Sequence, residues 1–249
     1  MGILDNTIKT TTPGAPKGII YGLPGIGKTT FGASHPNSIV LDCENGANTL
    51  DPERAKGQRT HYLRSWPEIK MALEELRDDS HPFKIVAIDS LDWLLTRIKH
   101  HITGADKDIT QTIHRTCGGY GTGKQIFENY VYINLLTTLD AIIERGIGVI
   151  LLAHAKRTTI YDVDGISVEK IAPDLPAEHL NTFVEWANFV FLARKTQSGQ
   201  RVLVTEETSQ ALAKNRYNMP PAIPFEWADF VAAISRPNTI RQEGITQNG

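Results

Sequence analysis

Short apolar runs alternate with segments of helical periodicity along most of the chain. Five apolar runs have the length and composition of buried strands, and they cover residues 18–21, 38–42, 83–89, 148–153 and 189–193. Between or after them, apolar residues recur at helical spacing, which predicts helices over about 66–80, 90–98, 124–144 and 178–186. Strands that alternate with helices are typical of an α/β fold with a mostly parallel central sheet and helices on both faces.

The C-terminal part of the chain departs from this alternation. Ser198-Gly199 is a turn signal, and the apolar segment Arg201–Thr205 follows it, so we predict an antiparallel hairpin at the C-terminal edge of the sheet. Residues 101–123 and 156–175 show no clear period, and we predict that both stretches are irregular.

The same pattern predicts one domain with two unstructured ends. We expect a flexible N-terminus over residues 1–16, a single domain over 17–235 and a disordered tail over 236–249. The chain has 249 residues, which suffices for one large α/β domain.

Composition narrows the class of protein without deciding the function. The chain is 41% hydrophobic and 22% charged, with a formal net charge of −2. This balance excludes a protein coated with positive charge for nucleic acid, although a local basic patch remains open. We expect a cytoplasmic protein, because no apolar run is long enough to span a membrane, no export signal is evident and only two cysteines occur.

The most informative motif follows the first apolar run. Gly22, Gly27, Lys28 and Thr29 fit the pattern G-x-x-x-x-G-K-[ST], with a predicted strand before it and a helix after it. Glycines let backbone N–H groups surround a β-phosphate, the lysine reaches the β- and γ-phosphates, and the threonine hydroxyl can ligate Mg²⁺. The predicted ATP-binding residues are Gly22, Leu23, Pro24, Gly25, Ile26, Gly27, Lys28, Thr29 and Thr30.

An aspartate ends a later apolar strand, where a Walker B residue would lie. We predict that Asp89 completes the Mg²⁺ site with Thr29, the alternative being an ordinary aspartate that caps the next helix. The next residue is Ser90, whereas AAA+ machines and many helicases carry a catalytic glutamate directly after this aspartate. The chain departs from their pattern at this position.

Together, these motifs and their order resemble the RecA-family core ATPases, most of all short phage-encoded members proposed as ATP-dependent single-strand annealing or recombination proteins. The resemblance covers about residues 15–235, and it implies a RecA-type P-loop ATPase in the cytoplasm of a bacterial host. In this family the glutamate that activates water ends the strand after the P-loop helix, which corresponds to Glu44 here. The alternative for Glu44 is a solvated loop carboxylate.

The resemblance implies three further catalytic residues. His154, at the end of the fourth strand, matches the polar sensor that links the γ-phosphate to DNA-binding loops, although a histidine there can equally be structural. Lys214 and Arg216 match a Lys-Asn-Lys segment that reaches the ATP of the neighbouring protomer, the alternative being a solvated basic turn. A homo-oligomer with ATP at the protomer interface follows. The chain has no room for the N-terminal arm or C-terminal domain of full-length RecA, so filament and ring stay open.

The two irregular stretches occupy the places of the DNA-binding loops in this family. The resemblance therefore implies single-stranded DNA as a partner, and a single-strand-binding protein as a further candidate. Basic residues supply charge there and tyrosines can stack on bases. The candidate DNA-binding residues are Lys107, Arg115, Tyr120, Lys124, Lys156, Arg157 and Tyr161, with Lys99 beside them.

Two other functions remain open from the sequence. A small-molecule or nucleotide kinase would share the P-loop, but the long loops contain only Arg115 and Arg157 where such enzymes usually have an arginine-rich lid. A nucleotide-dependent loader or scaffold for a protein partner would differ in not responding to DNA.

Overall fold

The computed structural model describes residues 14–46, 50, 52–104, 112–161, 165 and 167–235, apart from the side chain of Tyr161. In this part of the chain ten strands form one sheet. The strands are β1 (Lys17–Gly22), β2 (Ser38–Asp42), β3 (Gln58–Arg59), β4 (Ile85–Asp89), β5 (Gly148–Tyr161), β6 (Ser167–Pro173), β7 (Phe189–Lys195), β8 (Arg201–Val204), β9 (Lys214–Asn215) and β10 (Ala222–Pro224). The helices are α1 (Lys28–Gly32), α2 (Trp66–Asp78), α3 (Leu91–Thr103), α4 (Thr122–Asn129), α5 (Thr137–Glu144), α6 (Ala177–Trp186) and α7 (Trp227–Ile234).

The strand order confirms the predicted fold class. The sheet runs β10-β8-β7-β1-β5-β4-β2-β3, and successive strands from β7 to β3 in this order pair in parallel. The predicted antiparallel C-terminal edge is present, because β8 pairs antiparallel with both β7 and β10. The structure is therefore an α/β fold with a mostly parallel central sheet. One strand, β5, lies between the P-loop strand β1 and the strand that ends in Asp89.

Both faces of the sheet are covered, which explains why its strands are continuously apolar. Successive strand side chains point to opposite faces, so Ile19 packs into the hydrophobic cluster on one face and Ile20 into the cluster on the other. Helices α2, α3 and α5 contribute Leu73, Leu94 and Leu139 to the first cluster. Helices α1 and α7 cover the second face, where the rings of Phe31 and Phe230 pack edge to face at 5.4 Å.

The prediction of an irregular stretch over 156–175 was wrong. Strand β5 continues to Tyr161 and pairs antiparallel with β6 from Ala155↔Pro173 to Tyr161↔Ser167. These strands expose many of their side chains, so they lack the apolar run that marks a buried strand. Their backbone ladder stabilises them instead, and a ladder between distant residues is invisible in the local pattern.

The long helix predicted over 124–144 is present, but it begins at Thr122 and is not α-helical throughout. A π-helical segment, Tyr130–Leu136, joins α4 to α5. Within the described ranges, no helix has the length and apolar character needed to cross a membrane.

Candidate active site

The loop between β1 and α1 has the backbone shape that phosphate binding requires. Gly25 and Gly27 have φ values of 75° and 106°, in the left-handed region that side chains disfavour. A Cβ on Gly22 would lie 2.5 Å from the carbonyl oxygen of Ala193 on β7, so this position admits no side chain. The loop therefore needs glycine for close backbone approach as well as for its turn.

Lys28 lies inside this loop rather than in solvent. Its side chain is buried, and Nζ donates hydrogen bonds to the carbonyl oxygens of Gly22 at 2.9 Å and Leu23 at 3.2 Å. Burial lowers the pKa of Lys28, while the nearby carboxylates of Asp89 and Glu44 act in the opposite direction. The ammonium group is thus held where phosphate oxygens would replace the loop carbonyls as acceptors.

The two predicted Mg²⁺ ligands are in direct contact. The hydroxyl of Thr29, in the first turn of α1, donates a 2.6 Å hydrogen bond to Oδ2 of Asp89 at the end of β4. Asp89 is buried, and burial raises its pKa to about 6 against the opposing effect of the Thr29 hydrogen bond. Two converging hard oxygen donors fit Mg²⁺, which typically takes one or two protein oxygens together with phosphates and water.

The described residues contain no group of three or more histidine, cysteine or carboxylate side chains suited to holding a metal alone.

Glu44 lies in a turn that follows β2 and is built by Asp42. Oδ1 of Asp42 accepts hydrogen bonds from the backbone N–H groups of Glu44, Asn45 and Gly46 at 3.2, 2.6 and 3.3 Å. Asn45 takes a positive φ of 69°, which asparagine tolerates. Because Asp42 pairs with Asp89 in the sheet register, this turn brings Glu44 to the same edge as the Thr29–Asp89 pair.

His154 connects Glu44 to a carboxylate that the sequence analysis missed. Nε2 of His154 is 3.5 Å from Oε1 of Glu44, and Nδ1 is 2.9 Å from Oδ2 of Asp92 in the first turn of α3. Oδ1 of Asp92 also accepts the backbone N–H of His154 at 3.1 Å. An ionised carboxylate only accepts, so Asp92 favours a proton on Nδ1 and orients the other ring nitrogen toward Glu44.

Arg201 is a second residue that the sequence did not mark. Its Nη1 atom is 2.8 Å from the position that a Cβ on Gly27 would occupy, so the guanidinium lies against the P-loop from the β7–β8 side. Glu226 pairs with it at 3.1 Å and also accepts from Arg54 at 3.2 Å. No motif could have revealed Arg201, because only the pairing of β8 with β7 brings it to the loop.

Lys214 and Arg216 lie at the opposite edge of the sheet from the P-loop. Strand β9 pairs with the amino-terminal end of β7, and Arg216 bonds to Asn188, directly before that strand. Strand β1 is about 16 Å long at 3.3 Å per residue, so neither side chain serves its own P-loop. Lys214 donates to the carbonyls of Val184 and Glu185 near the end of α6, whereas Arg216 is exposed.

The candidate DNA-binding residues come from separate segments, although Lys124 and Lys156 line one cavity with Lys99. Arg115 and Tyr120 are exposed in the turns before α4, and Lys124 is exposed in its first turn. Lys156 pairs with Asp174 at 2.9 Å, and Arg157 pairs with Glu169 at 3.0 Å across the β5–β6 hairpin. Lys107 and the side chain of Tyr161 lie outside the described residues.

A cavity of about 850 Å³ opens beside the Glu44–His154–Asp92 group. Asp92 and His154 form part of its wall, with residues from α3, from the segment before α4, from α4 and from the base of the β5–β6 hairpin. The cavity is large enough for a small molecule or a nucleotide unit.

The site combines a loop that requires glycine, at the N-terminus of a helix, with a buried lysine and a Thr–Asp pair. Together these features define a P-loop nucleotide-binding protein. Residues 15–217 match the family described as AAA domain, and the chain belongs to this family. Its membership confirms the expected class of P-loop ATPase domain, while Ser90 stands where AAA+ machines have their glutamate.

The chain was also compared with solved structures and with curated protein sequences. The crystal structure of the RadB recombinase is similar to this chain, with 17% sequence identity, a TM-score of 0.43, and coverage of 77% of this chain and 81% of that chain. A likeness this distant carries no argument about function. No curated protein sequence matches the chain.

Proposed function

We propose that the protein is an ATPase that binds single-stranded DNA and promotes strand annealing or exchange in homologous recombination. One observation carries the ATPase part: the Glu44–His154–Asp92 group lies at the same sheet edge as the Thr29–Asp89 pair. A general base and a metal-ligand pair at one edge are what hydrolysis of a bound nucleotide requires. The phage origin and the location in a bacterial cytoplasm come from the resemblance alone.

Each residue has a defined role in the proposed reaction. The loop N–H groups and Lys28 would hold the β- and γ-phosphates, and Thr29 and Asp89 would hold Mg²⁺, which would neutralise charge on the phosphate oxygens. Glu44 accepts a proton from the attacking water while the water oxygen forms a bond to the γ-phosphorus. The bond from that phosphorus to the β–γ bridging oxygen breaks, which releases ADP and phosphate.

His154 is proposed to report the state of this reaction. Its ring contacts the proposed base through Nε2, and its chain neighbours continue into the β5–β6 hairpin. Any shift of Glu44 on hydrolysis therefore acts on a side chain that Asp92 holds in place. A homo-oligomer with ATP between protomers would add Arg216, and with it Lys214, from the neighbouring subunit.

The experiment is ATP hydrolysis by the wild-type protein and Lys28→Ala, with and without single-stranded DNA, across a salt series. We expect Lys28→Ala to abolish turnover, and DNA to raise the wild-type rate severalfold in low salt only, because phosphate contacts weaken with ionic strength. Turnover that ignores DNA would remove the DNA part of the proposal. Two functions would then remain, a kinase and a nucleotide-dependent loader for a protein partner.

A kinase is the second candidate, and one observation favours it. The cavity beside Asp92 and His154 is big enough for a phosphoryl acceptor, and the pair resembles the arrangement of a base with its orienting carboxylate. Incubation with a panel of nucleosides and nucleotides tests this candidate. A phosphorylated product would support it, and ADP with free phosphate alone would count against it.

A further inference from the structure

The cavity beside the Glu44–His154–Asp92 group combines features that suit one unit of a single strand. Its wall contains an aromatic ring, Trp93, and apolar side chains such as Ile113 and Phe127. It also contains three lysines, Lys99 on α3, Lys124 on α4 and Lys156 on β5. Proteins that bind single strands without sequence preference pair aromatic stacking surfaces with cations that follow the backbone.

Ion pairs within the wall decide its effective charge. Asp174 forms an ion pair with Lys156, and Asp92 is hydrogen-bonded to His154. Lys99 and Lys124 form no ion pair with any residue that the structure describes, which leaves both ammonium groups for an anionic ligand. Glu178 is the remaining carboxylate of the lining. The formal charges of the three lysines and three carboxylates of the lining cancel, so an anion would be held by the two lysines that have no carboxylate partner among the described residues.

Trp93 is exposed to 38% and yet held in place. The guanidinium of Arg97, one helical turn along α3, lies 5.1 Å from the ring centroid, and Arg97 donates a 2.5 Å hydrogen bond to the hydroxyl of Tyr62. A ring that is packed on one side and accessible on another loses little conformational freedom when a base stacks on it.

We propose that this cavity takes one nucleotide of single-stranded DNA, with the base against Trp93 and the flanking phosphates at Lys99 and Lys124. Asp92 lies one residue before Trp93 and bonds to His154, so the occupant would act on the ring that contacts Glu44. The inference rests on the proposed function and deepens it. It moves the DNA contact from the hairpin, where Arg157 is paired with Glu169, to helix α3, which sequence reasoning did not consider beyond Lys99.

Binding of a fluorescein-labelled oligothymidine of about 20 nucleotides, followed by anisotropy, tests the stacking contact. We expect Trp93→Ala to weaken binding about tenfold and Trp93→Phe to restore most of it, because a phenyl ring still stacks. Tyr132→Ala is the matched aromatic control, since Tyr132 is 49% exposed and does not line the cavity. Thermal unfolding of each variant establishes that it is folded.

The lysines are tested through the salt dependence of the same binding. Loss of one phosphate contact lowers the slope of log K against log salt by about 0.7 for a single strand. We expect this change for Lys99→Ala and for Lys124→Ala, and none for Lys84→Ala. Lys84 is exposed and precedes β4 at the opposite edge of the sheet, so it changes the net charge equally.

The coupling is tested by the ratio of DNA-stimulated to basal ATP hydrolysis at saturating oligonucleotide. We expect Trp93→Ala to lose most of the stimulation. If all three cavity variants keep the wild-type DNA affinity, salt slope and ATPase stimulation, the cavity is not the DNA site. The protein would then still be a DNA-binding ATPase, with its DNA site elsewhere. A wild-type protein that binds no oligonucleotide would remove the DNA half of the proposed function itself. Phosphorylation of a nucleoside that Trp93→Ala abolishes would instead identify the cavity as an acceptor site.

Discussion

The parallel strands of the central sheet end at a carboxyl edge and begin at an amino edge, and candidate functional residues lie at both. The two edges differ in the contacts that their candidate residues make. At the carboxyl edge, the four candidates come from different segments and form two contacting pairs, Thr29–Asp89 and Glu44–His154. At the amino edge, the ammonium group of Lys214 donates to carbonyls at the end of α6, and Arg216 bonds to Asn188. The first edge is a site organised within one chain, whereas the second can contribute to nucleotide chemistry only in another copy. The difference teaches that a matching motif does not by itself assign a catalytic role, because the side chain must also lie beside the bound nucleotide.

The largest expected effect tests whether Arg216 at the amino edge contributes to ATP hydrolysis in a neighbouring protomer. Arg216→Ala should lower ATP turnover about 10⁴-fold, as loss of a cation delivered in trans does in other phosphoryl-transfer enzymes. Mixing Arg216→Ala with Lys28→Ala should recover turnover, because an intact P-loop then meets an intact arginine. Arg194→Ala serves as an exposed arginine control. Mixed assemblies that stay inactive would confine the chemistry to the carboxyl edge.

At the carboxyl edge, Glu44→Gln should lower the rate of ATP hydrolysis about 10³-fold with nucleotide affinity retained, because the amide cannot accept the proton of water. Single-turnover hydrolysis and equilibrium nucleotide binding separate the two quantities. Glu206→Gln removes an exposed carboxylate elsewhere as the control. An unchanged hydrolysis rate would remove Glu44 from its proposed role.

Asp92→Asn sharpens the comparison within the carboxyl edge. The amide presents a donor to Nδ1 of His154, which reverses the preferred protonation of the ring, and we expect about a tenfold loss of kcat with an unchanged KM. The pH profile of kcat should change as well, a result that a purely structural role would not give. Equal losses in Asp92→Asn and Asp92→Ala without a change in profile would contradict this interpretation.

Arg201 extends the organised edge toward β8. Since the carboxylates lie on the β5, β4 and β2 side of the P-loop, the β7–β8 side faces away from the γ-phosphate end. Arg201→Ala should therefore weaken binding of ADP and ATP equally, by about tenfold, as loss of one charge-assisted hydrogen bond does. Calorimetric titration of both nucleotides measures this, with Arg59→Ala as the control. A loss specific to ATP would relocate the contact.

The smallest effect concerns α6, which runs from the cavity to the carbonyls that hold Lys214. His179 near its start is buried, neither ring nitrogen has a hydrogen-bond partner among the described residues, and burial lowers its pKa. The unfolded chain therefore binds this proton more readily, so the free energy of unfolding falls as pH drops below about 6.5. His179→Leu should reduce the fall of Tm between about pH 7 and pH 5, and His61→Leu, at an exposed position, should not.

Several parts of this molecule could be predicted from local sequence. The P-loop, its strand and its helix are consecutive, so glycine spacing and apolar content were sufficient to identify them. The buried parallel strands were recognisable because both of their faces pack against helices. The β5–β6 hairpin was not, because pairing between its two strands stabilises it while its side chains remain largely polar.

The sequence by itself determined the class of fold and the residues of the phosphate loop, since both depend on periodicity and on neighbours within a few positions. Only the tertiary structure decided that Asp92 orients His154, that Arg201 lies against Gly27 and that Lys214 faces away from its own P-loop. These contacts join residues that are 62 or more positions apart, or depend on which strand lies beside which. The physical reason is that a parallel sheet brings its carboxyl ends together whatever their separation along the chain.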